Sequence, residues 1–264
     1  MKRRTEDNDL SGFVFSDPGS LLAAVLAVTL VGLSKGGLGG AMSLLGMGVM
    51  SLVISPVQAA GILLPILIIM DVVSLWSWWG KWDLRTMRIM LPGALLGIGI
   101  GWLTAAMVSD GAVRLIVGVI ALVFVARWAL SSSASRNVAH PHRPGLALFW
   151  STISGYTSFV AHAGGPPYQI YTMPLRMAPV VFTSTSVAVF AIVNVVKLVP
   201  YAALGQFDTG NLVTSAVLMP LAAVSTLIGA AIVRRIKAAV FYPLMYAMVL
   251  VVSLKLIWDG VWAL

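Results

Sequence analysis

The chain has 264 residues, of which 59% are hydrophobic and only 10% are charged. A soluble domain carries about 25% charged residues, so this composition excludes an ordinary soluble protein. Cysteine is absent, which excludes disulfides and thiolate metal sites, and the net charge of +8 is spread over short loops, which argues against a nucleic-acid-binding domain.

The chain begins with a polar tail at residues 1–19, which has mixed charge and lacks the cleavage site of a signal peptide. Six apolar runs follow, and most approach or exceed the roughly 20 residues that span a bilayer as a helix. These runs are 61–79, 89–108, 115–125, 180–196, 212–233 and 241–257. They predict an all-α polytopic membrane protein, which we place in the bacterial cytoplasmic membrane.

A glycine-rich break precedes the first of these runs. Residues 34–40 read SKGGLGG and contain Lys35, Gly36, Gly37, Gly39 and Gly40. Glycine weakens a helix, and non-helical backbone survives at membrane depth only when it is buried in protein or lines a wet cavity. We therefore interpret residues 21–54 as a broken-helix hairpin with arms of about 15 residues, which is short for a full crossing, and two full spans stay the alternative. Lys35 would attract an anion there, or else extend to the surface along a shallow arm.

A second break lies in residues 145–178, where the sequence HAGGPPYQIY occupies positions 162–171. Paired prolines cannot continue a helix from the preceding residues, but they can start a new one. A helix start favours anions through its N–H groups and its dipole. We expect the ligand to be surrounded there by His162, Gly164, Gly165, Pro166, Gln169 and Tyr171.

Three polar residues lie within the later apolar helices. Acids near the middle of a membrane helix are rare and are usually functional or paired, so Asp71 would neutralise Lys35 or take up a coupling proton. Asn194 and Lys197 are one turn apart on the same helical face. We expect both to contact the ligand, with the outer membrane surface as the alternative position for Lys197.

A cluster of tryptophans follows the first complete apolar run. Its members are Trp76, Trp78, Trp79 and Trp82. Tryptophan is enriched where a membrane meets water. We therefore interpret this cluster as an interfacial belt.

The two halves of the chain repeat one another at low identity. An offset of 123 residues brings Gly32 onto Gly155, Pro56 onto Pro179 and Asp71 onto Asn194. We predict a first repeat at 20–131 and a second at 145–258, joined by a basic cytoplasmic linker at 132–144.

The loops predict opposite orientations for the two repeats. Segments 80–88, 127–143 and 234–237 are rich in lysine and arginine, so the positive-inside rule places them in the cytoplasm and both termini outside. Loop 80–88 and its repeat partner, loop 205–211, then lie on opposite sides of the membrane. The predicted fold is therefore two inverted-topology repeats, each a broken-helix hairpin plus three transmembrane helices.

The motifs GLSKGGLGG at 32–40 and AHAGGPP at 161–167, with the twofold repeat, resemble the sulfite exporter TauE/SafE family, also called the sulfonate uptake permease family. The resemblance spans about residues 20–258. It implies transport of small anions such as sulfite, organosulfonates or carboxylates. The family's paired glycine-rich motifs correspond here to Lys35 with its glycines and to Gly164, Gly165, Pro166 and Pro167. The family motifs do not include His162 or Lys197, so their assignment to the ligand rests on the physical argument alone.

We therefore expect a secondary transporter, with an exporter favoured over an importer, that moves a small sulfur-containing anion by alternating access at a midplane site between the two breaks. A carboxylate is the alternative cargo. An anion channel, or an enzyme using Ser154, Ser158 and His162, is a weaker alternative, because no nucleophile-elbow motif frames either serine. We expect no enzymatic activity, cofactor, metal or nucleic-acid partner. Proton coupling, the direction of transport and a homodimeric state stay open.

Overall fold

The computed structural model describes residues 14–15, 17–38, 41–104, 107–132, 138–203 and 209–263, and all α-, π- and 3₁₀-structure below refers to these ranges. The helices are α1 (Pro18–Leu33), α2 (Ala41–Met50), α3 (Pro56–Ser77), α4 (Leu84–Thr104), α5 (Asp110–Leu130), α6 (Pro144–Val160), α7 (Gly165–Thr172), α8 (Pro179–Ala203), α9 (Thr209–Arg235) and α10 (Ala238–Trp262). Regular structure in the described residues is entirely helical, as the sequence predicts.

Within the described ranges, six helical segments are long and apolar enough to cross a membrane: Pro18–Gly37, Leu84–Thr104, Asp110–Leu130, Pro179–Pro200, Gly210–Arg235 and Ala238–Trp262. Helix α3 adds a shorter apolar stretch, Gly61–Ser77. The prediction of a polytopic all-α membrane protein is confirmed. The segment Pro18–Gly37 differs from our expectation, because we had interpreted that arm as short for a full crossing.

The two broken segments have unequal arms, so the prediction of four arms of about 15 residues was wrong. The 16 residues of α1 run directly into a five-residue π-helical turn, Ser34–Leu38, whereas α2 has 10 residues. In the second half, α6 has 17 residues and α7 has eight.

The two halves pack against each other in a reciprocal pattern. Helix α4 packs on α6, while α1 and its π-turn pack on α9. Helix α5 packs on α10, and α3 packs on α8. Exchanging the first half with the second converts the α4–α6 pair into the α1–α9 pair and leaves the α5–α10 and α3–α8 pairs unchanged. A twofold repeat would produce this pattern, and the bounds of the two repeats and their inverted orientation stay predictions.

Glycines allow the closest of these contacts. A β-carbon built on Gly32 would lie 1.9 Å from Ser225 Oγ on α9, and one on Gly155 would lie 2.0 Å from the Ala94 carbonyl oxygen on α4. Small residues permit this approach of helix backbones in membrane proteins. Gly32 and Gly155 are also partners in the sequence repeat.

Helix α4 offers a matched test of this close packing. A β-carbon on Gly97 would lie 2.0 Å from the Thr152 carbonyl oxygen, whereas one on Gly99 meets no described atom within 4 Å. We expect Gly97→Ala to destabilise the protein by about 1–3 kcal/mol through overpacking. Gly99→Ala should be neutral, or stabilising by up to about 1 kcal/mol through helix propensity. Thermal unfolding in detergent compares the two variants, and equal melting temperatures would contradict the packing role of Gly97.

Candidate functional site

A cavity of about 80 Å³, which we call the central cavity, lies where the two broken segments meet. Its polar lining includes Lys35 and Ser43 from the first half and His162, Asn194 and Lys197 from the second half. One water needs about 10–15 Å³ of such volume, so the cavity has room for several waters or for one small ion.

A buried ion pair forms one side of the cavity. Lys35 Nζ lies 2.6 Å from Asp71 Oδ1, and the other carboxylate oxygen of Asp71 accepts a hydrogen bond of 2.6 Å from Asn194 Nδ2. The exposed fraction of the side chain is 11% for Lys35 and 4% for Asp71. Asp71 therefore joins the first break to α8 of the other half, and Lys35 does not extend to the membrane surface.

A second lysine enters the cavity from α8. Lys197 is 1% exposed, and its Nζ donates a hydrogen bond of 2.7 Å to the carbonyl oxygen of Ser158 on α6. Its alternative position at the outer surface is therefore wrong. Ser74, its counterpart at the repeat offset, donates through Oγ to the Lys35 carbonyl oxygen at 3.0 Å.

The first break is held by side chains from neighbouring helices. Gly37 has a φ of 149°, which favours glycine, and it is the point where helical geometry ends. The carbonyl oxygen of Gly36 accepts a hydrogen bond of 3.0 Å from Trp78 Nε1. Ser43 Oγ donates to Ser34 Oγ at 3.0 Å, across the break. Gly39 and Gly40 lie outside the described residues.

Trp78 does not belong to an interfacial belt, so this part of our interpretation was wrong. Its side chain is completely buried, whereas those of Trp76 and Trp79 are 75% and 71% exposed. A buried indole N–H needs an acceptor, and the opened helix supplies one at the Gly36 carbonyl. The sequence gives no signal for this contact, because it depends on where α3 ends relative to the break.

The second break is closed by hydroxyl groups of α6. His162 adopts a left-handed conformation with a φ of 53°, and Ser154 Oγ donates to the Gly164 carbonyl oxygen at 2.7 Å. Pro166 and Pro167 lie in the first turn of α7 and carry no N–H. The N–H groups at this helix start are therefore those of Gly164 and Gly165, and both residues line the cavity.

The structure brings part of the predicted set together. Six members line the cavity: Lys35, His162, Gly164, Gly165, Asn194 and Lys197. Five other predicted ligand residues are described in the structure but do not line the cavity: Gly36, Gly37, Pro166, Gln169 and Tyr171. A β-carbon built on Gly36 or Gly37 would lie against α9. The Tyr171 hydroxyl lies 3.4 Å from His142 Nδ1. Their contact with a ligand stays a prediction.

The cavity also has serines that our sequence reasoning did not assign to a ligand. These are Ser34, Ser43, Ser158 and Ser186. The repeat offset would have found Ser158, since it aligns with Lys35. The other serines show no distinguishing pattern in an apolar sequence.

The charges of the site favour an anion. Among the described residues, Lys35 and Lys197 are the basic side chains of the lining, and Asp71 is the acid bonded to it. The Lys35–Asp71 pair is neutral as a unit, so the positive surplus rests on the protonated form of Lys197. The start of α7 adds partial positive charge.

Comparison with known proteins identifies the family of this chain. Residues 24–256 match the family model described as sulfite exporter TauE/SafE. The comparisons with curated proteins and with solved structures found no match. Since the family match spans most of the chain, this protein belongs to the sulfite exporter TauE/SafE family, a family of membrane transporters and not of enzymes.

Proposed function

We propose that this protein is a secondary transporter that exports a small sulfur-containing anion, such as sulfite or an organosulfonate, across the bacterial cytoplasmic membrane. The observation that carries the proposal is the small buried cavity with two lysines, at which the two broken helices meet. A buried basic cavity within a membrane protein is costly unless function requires it.

The contacts suggest how an anion binds. Lys197 rests on a backbone carbonyl and a hydroxyl of Ser158, which are weaker competitors than a carboxylate. Lys35 is paired with Asp71, so an anion that approaches Lys35 competes with that carboxylate. A proton on Asp71 would release Lys35 for the anion, and this competition would couple proton binding to anion binding.

The dimensions of the cavity favour a compact ligand. A volume of about 80 Å³ suits a three-oxygen oxyanion or a short organosulfonate. A small carboxylate such as acetate carries the same charge type and stays the alternative cargo. Competition of acetate against sulfite in one flux assay separates the two.

Alternating access would follow from the reciprocal packing. The cavity lies between elements of both halves, and the α3–α8 and α5–α10 pairs each join one helix of each half. In secondary transporters built from inverted repeats, one repeat rocks against the other around a central site. The proposed orientation places both termini outside.

The first test replaces Lys35. We expect Lys35→Ala to lower the flux of labelled sulfite from proteoliposomes by about tenfold or more, because hydrogen bonds to charged groups contribute about 1.5–3 kcal/mol. Lys35→Arg should retain part of the flux. Lys237→Ala is the matched control, since that lysine is exposed at the start of α10.

Two outcomes of this assay would contradict the proposal. Undiminished flux in Lys35→Ala would remove the assigned role of Lys35. Wild-type flux that is not accelerated by sulfite on the opposite side would indicate a channel instead of a transporter.

The second test separates competition from simple pairing at Asp71. Asp71→Asn should destabilise the ligand-free protein by about 3–5 kcal/mol, because Lys35 loses its buried partner. The same variant should bind sulfite at least about fivefold more tightly, the lower end of common coupling strengths, because the competing carboxylate is gone. Sulfite-dependent thermal shifts measure both effects.

Asp259→Asn is the control for this second test. Asp259 pairs with Lys255 at 2.8 Å, outside the central cavity. This variant should not bind sulfite more tightly. Unchanged sulfite affinity in Asp71→Asn would show that the anion does not compete with Asp71 for Lys35.

A further inference from the structure

A second cavity, of about 440 Å³, opens at the membrane boundary where α5 ends. We call it the boundary cavity. Helix α5 forms one wall, and the others come from the segment before α6, from α6 itself, and from the end of α7 with Pro174 and Arg176 beyond it. Tyr246 of α10 and Trp128 of α5 also line it, and their stacked rings have centroids 4.0 Å apart. None of these residues lines the central cavity.

The part of the boundary cavity within the span of α5 is apolar. Ile120, Val123 and Phe124 line it from α5, and Trp150 and Ile170 face it from α6 and α7. At a rise of 1.5 Å per residue, Ile120 lies about 10 Å deeper in the membrane than Arg127. The apolar lining therefore runs along the direction of a lipid chain.

The part at the membrane boundary is basic. Arg127 and Arg176 line the cavity together with His140, and its lining includes no acid among the described residues. The Arg176 guanidinium lies 4.4 Å from the ring centroid of Tyr242, which helps to fix its position. The backbone N–H of His140 donates to the Pro174 carbonyl oxygen at 2.9 Å, which holds His140 next to the turn that follows α7.

The counterpart at the other end of the α5–α10 pair has a different charge. That cavity, of about 280 Å³, contains Lys255, Asp259 and Arg114. Lys255 Nζ lies 2.8 Å from Asp259 Oδ2, so an acid within the lining neutralises one of its cations. The boundary cavity therefore has the larger surplus of positive charge, although α5 and α10 contribute residues to both.

We propose that the boundary cavity binds an anionic phospholipid, with its phosphate at Arg127, Arg176 and His140 and one acyl chain along Ile120 and Val123. Basic pockets between membrane helices on the cytoplasmic side suit anionic head groups, and guanidinium groups match phosphate oxygens in geometry. The length of the apolar wall selects a lipid over free phosphate.

A lipid at this position would contact both the packed helices α5 and α10 and the short arm of the second broken segment, α7. Helices α5 and α10 pack on each other, whereas Ile170 and Pro174 belong to the end of the second broken segment. The bound lipid therefore bridges the α5–α10 pair and the end of α7. It would stabilise the arrangement of these elements seen here.

Native mass spectrometry of the purified full-length protein tests the site. We expect the wild type to retain phosphatidylglycerol in preference to phosphatidylcholine. Arg127→Gln should weaken phosphatidylglycerol retention by about fivefold, the effect of one basic group near an anionic lipid. Arg88→Gln is the matched control, because Arg88 is exposed and lies outside the boundary cavity.

A cavity-filling variant tests the apolar wall separately. Ile120→Trp should lower phosphatidylglycerol retention while leaving Arg127 in place, and circular dichroism reports whether the variant is folded. Equal retention of the two lipids, or equal effects of Arg127→Gln and Arg88→Gln, would overturn the proposal. So would stabilisation by glycerol phosphate as large as that by the whole lipid, or a dimer that covers this face.

Discussion

The arrangement of the central cavity depends on one buried ion pair. Lys35 lies at the first break, Asp71 lies in α3, and the same carboxylate accepts a hydrogen bond from Asn194 in α8. A charge inside a membrane protein needs a partner, and removing one member of a buried pair is strongly destabilising. The pair therefore fixes the depth of the first break and ties it to both halves of the molecule.

Non-helical backbone can persist there because neighbouring helices satisfy it. Trp78 donates to the Gly36 carbonyl, and Ser74 donates to the Lys35 carbonyl. In the second half, Lys197 donates to the Ser158 carbonyl. Each donor comes from the long helix that follows the broken segment of its own half.

A nearly symmetric framework thus carries an asymmetric set of charges. The position that is Lys35 in the first half is Ser158 in the second, and the position that is Ser74 in the first half is Lys197 in the second. Asp71 likewise corresponds to Asn194. Each half therefore supplies one lysine from a different element, and only one supplies a carboxylate. This substitution pattern gives the cavity its positive surplus without placing two lysines at equivalent positions.

The sequence by itself determined the helical membrane class, the positions of the breaks and the family, because apolar run lengths and glycine or proline motifs are local properties of the chain. It also offered Asp71 as a partner of Lys35, with uptake of a coupling proton as the alternative, because acids near the middle of a membrane helix are usually functional or paired. Only the tertiary structure decided that Lys197 turns inward, that Trp78 is buried, and that the arms are unequal. Those features depend on which helices face each other and on the helix ends, and no local pattern specifies them.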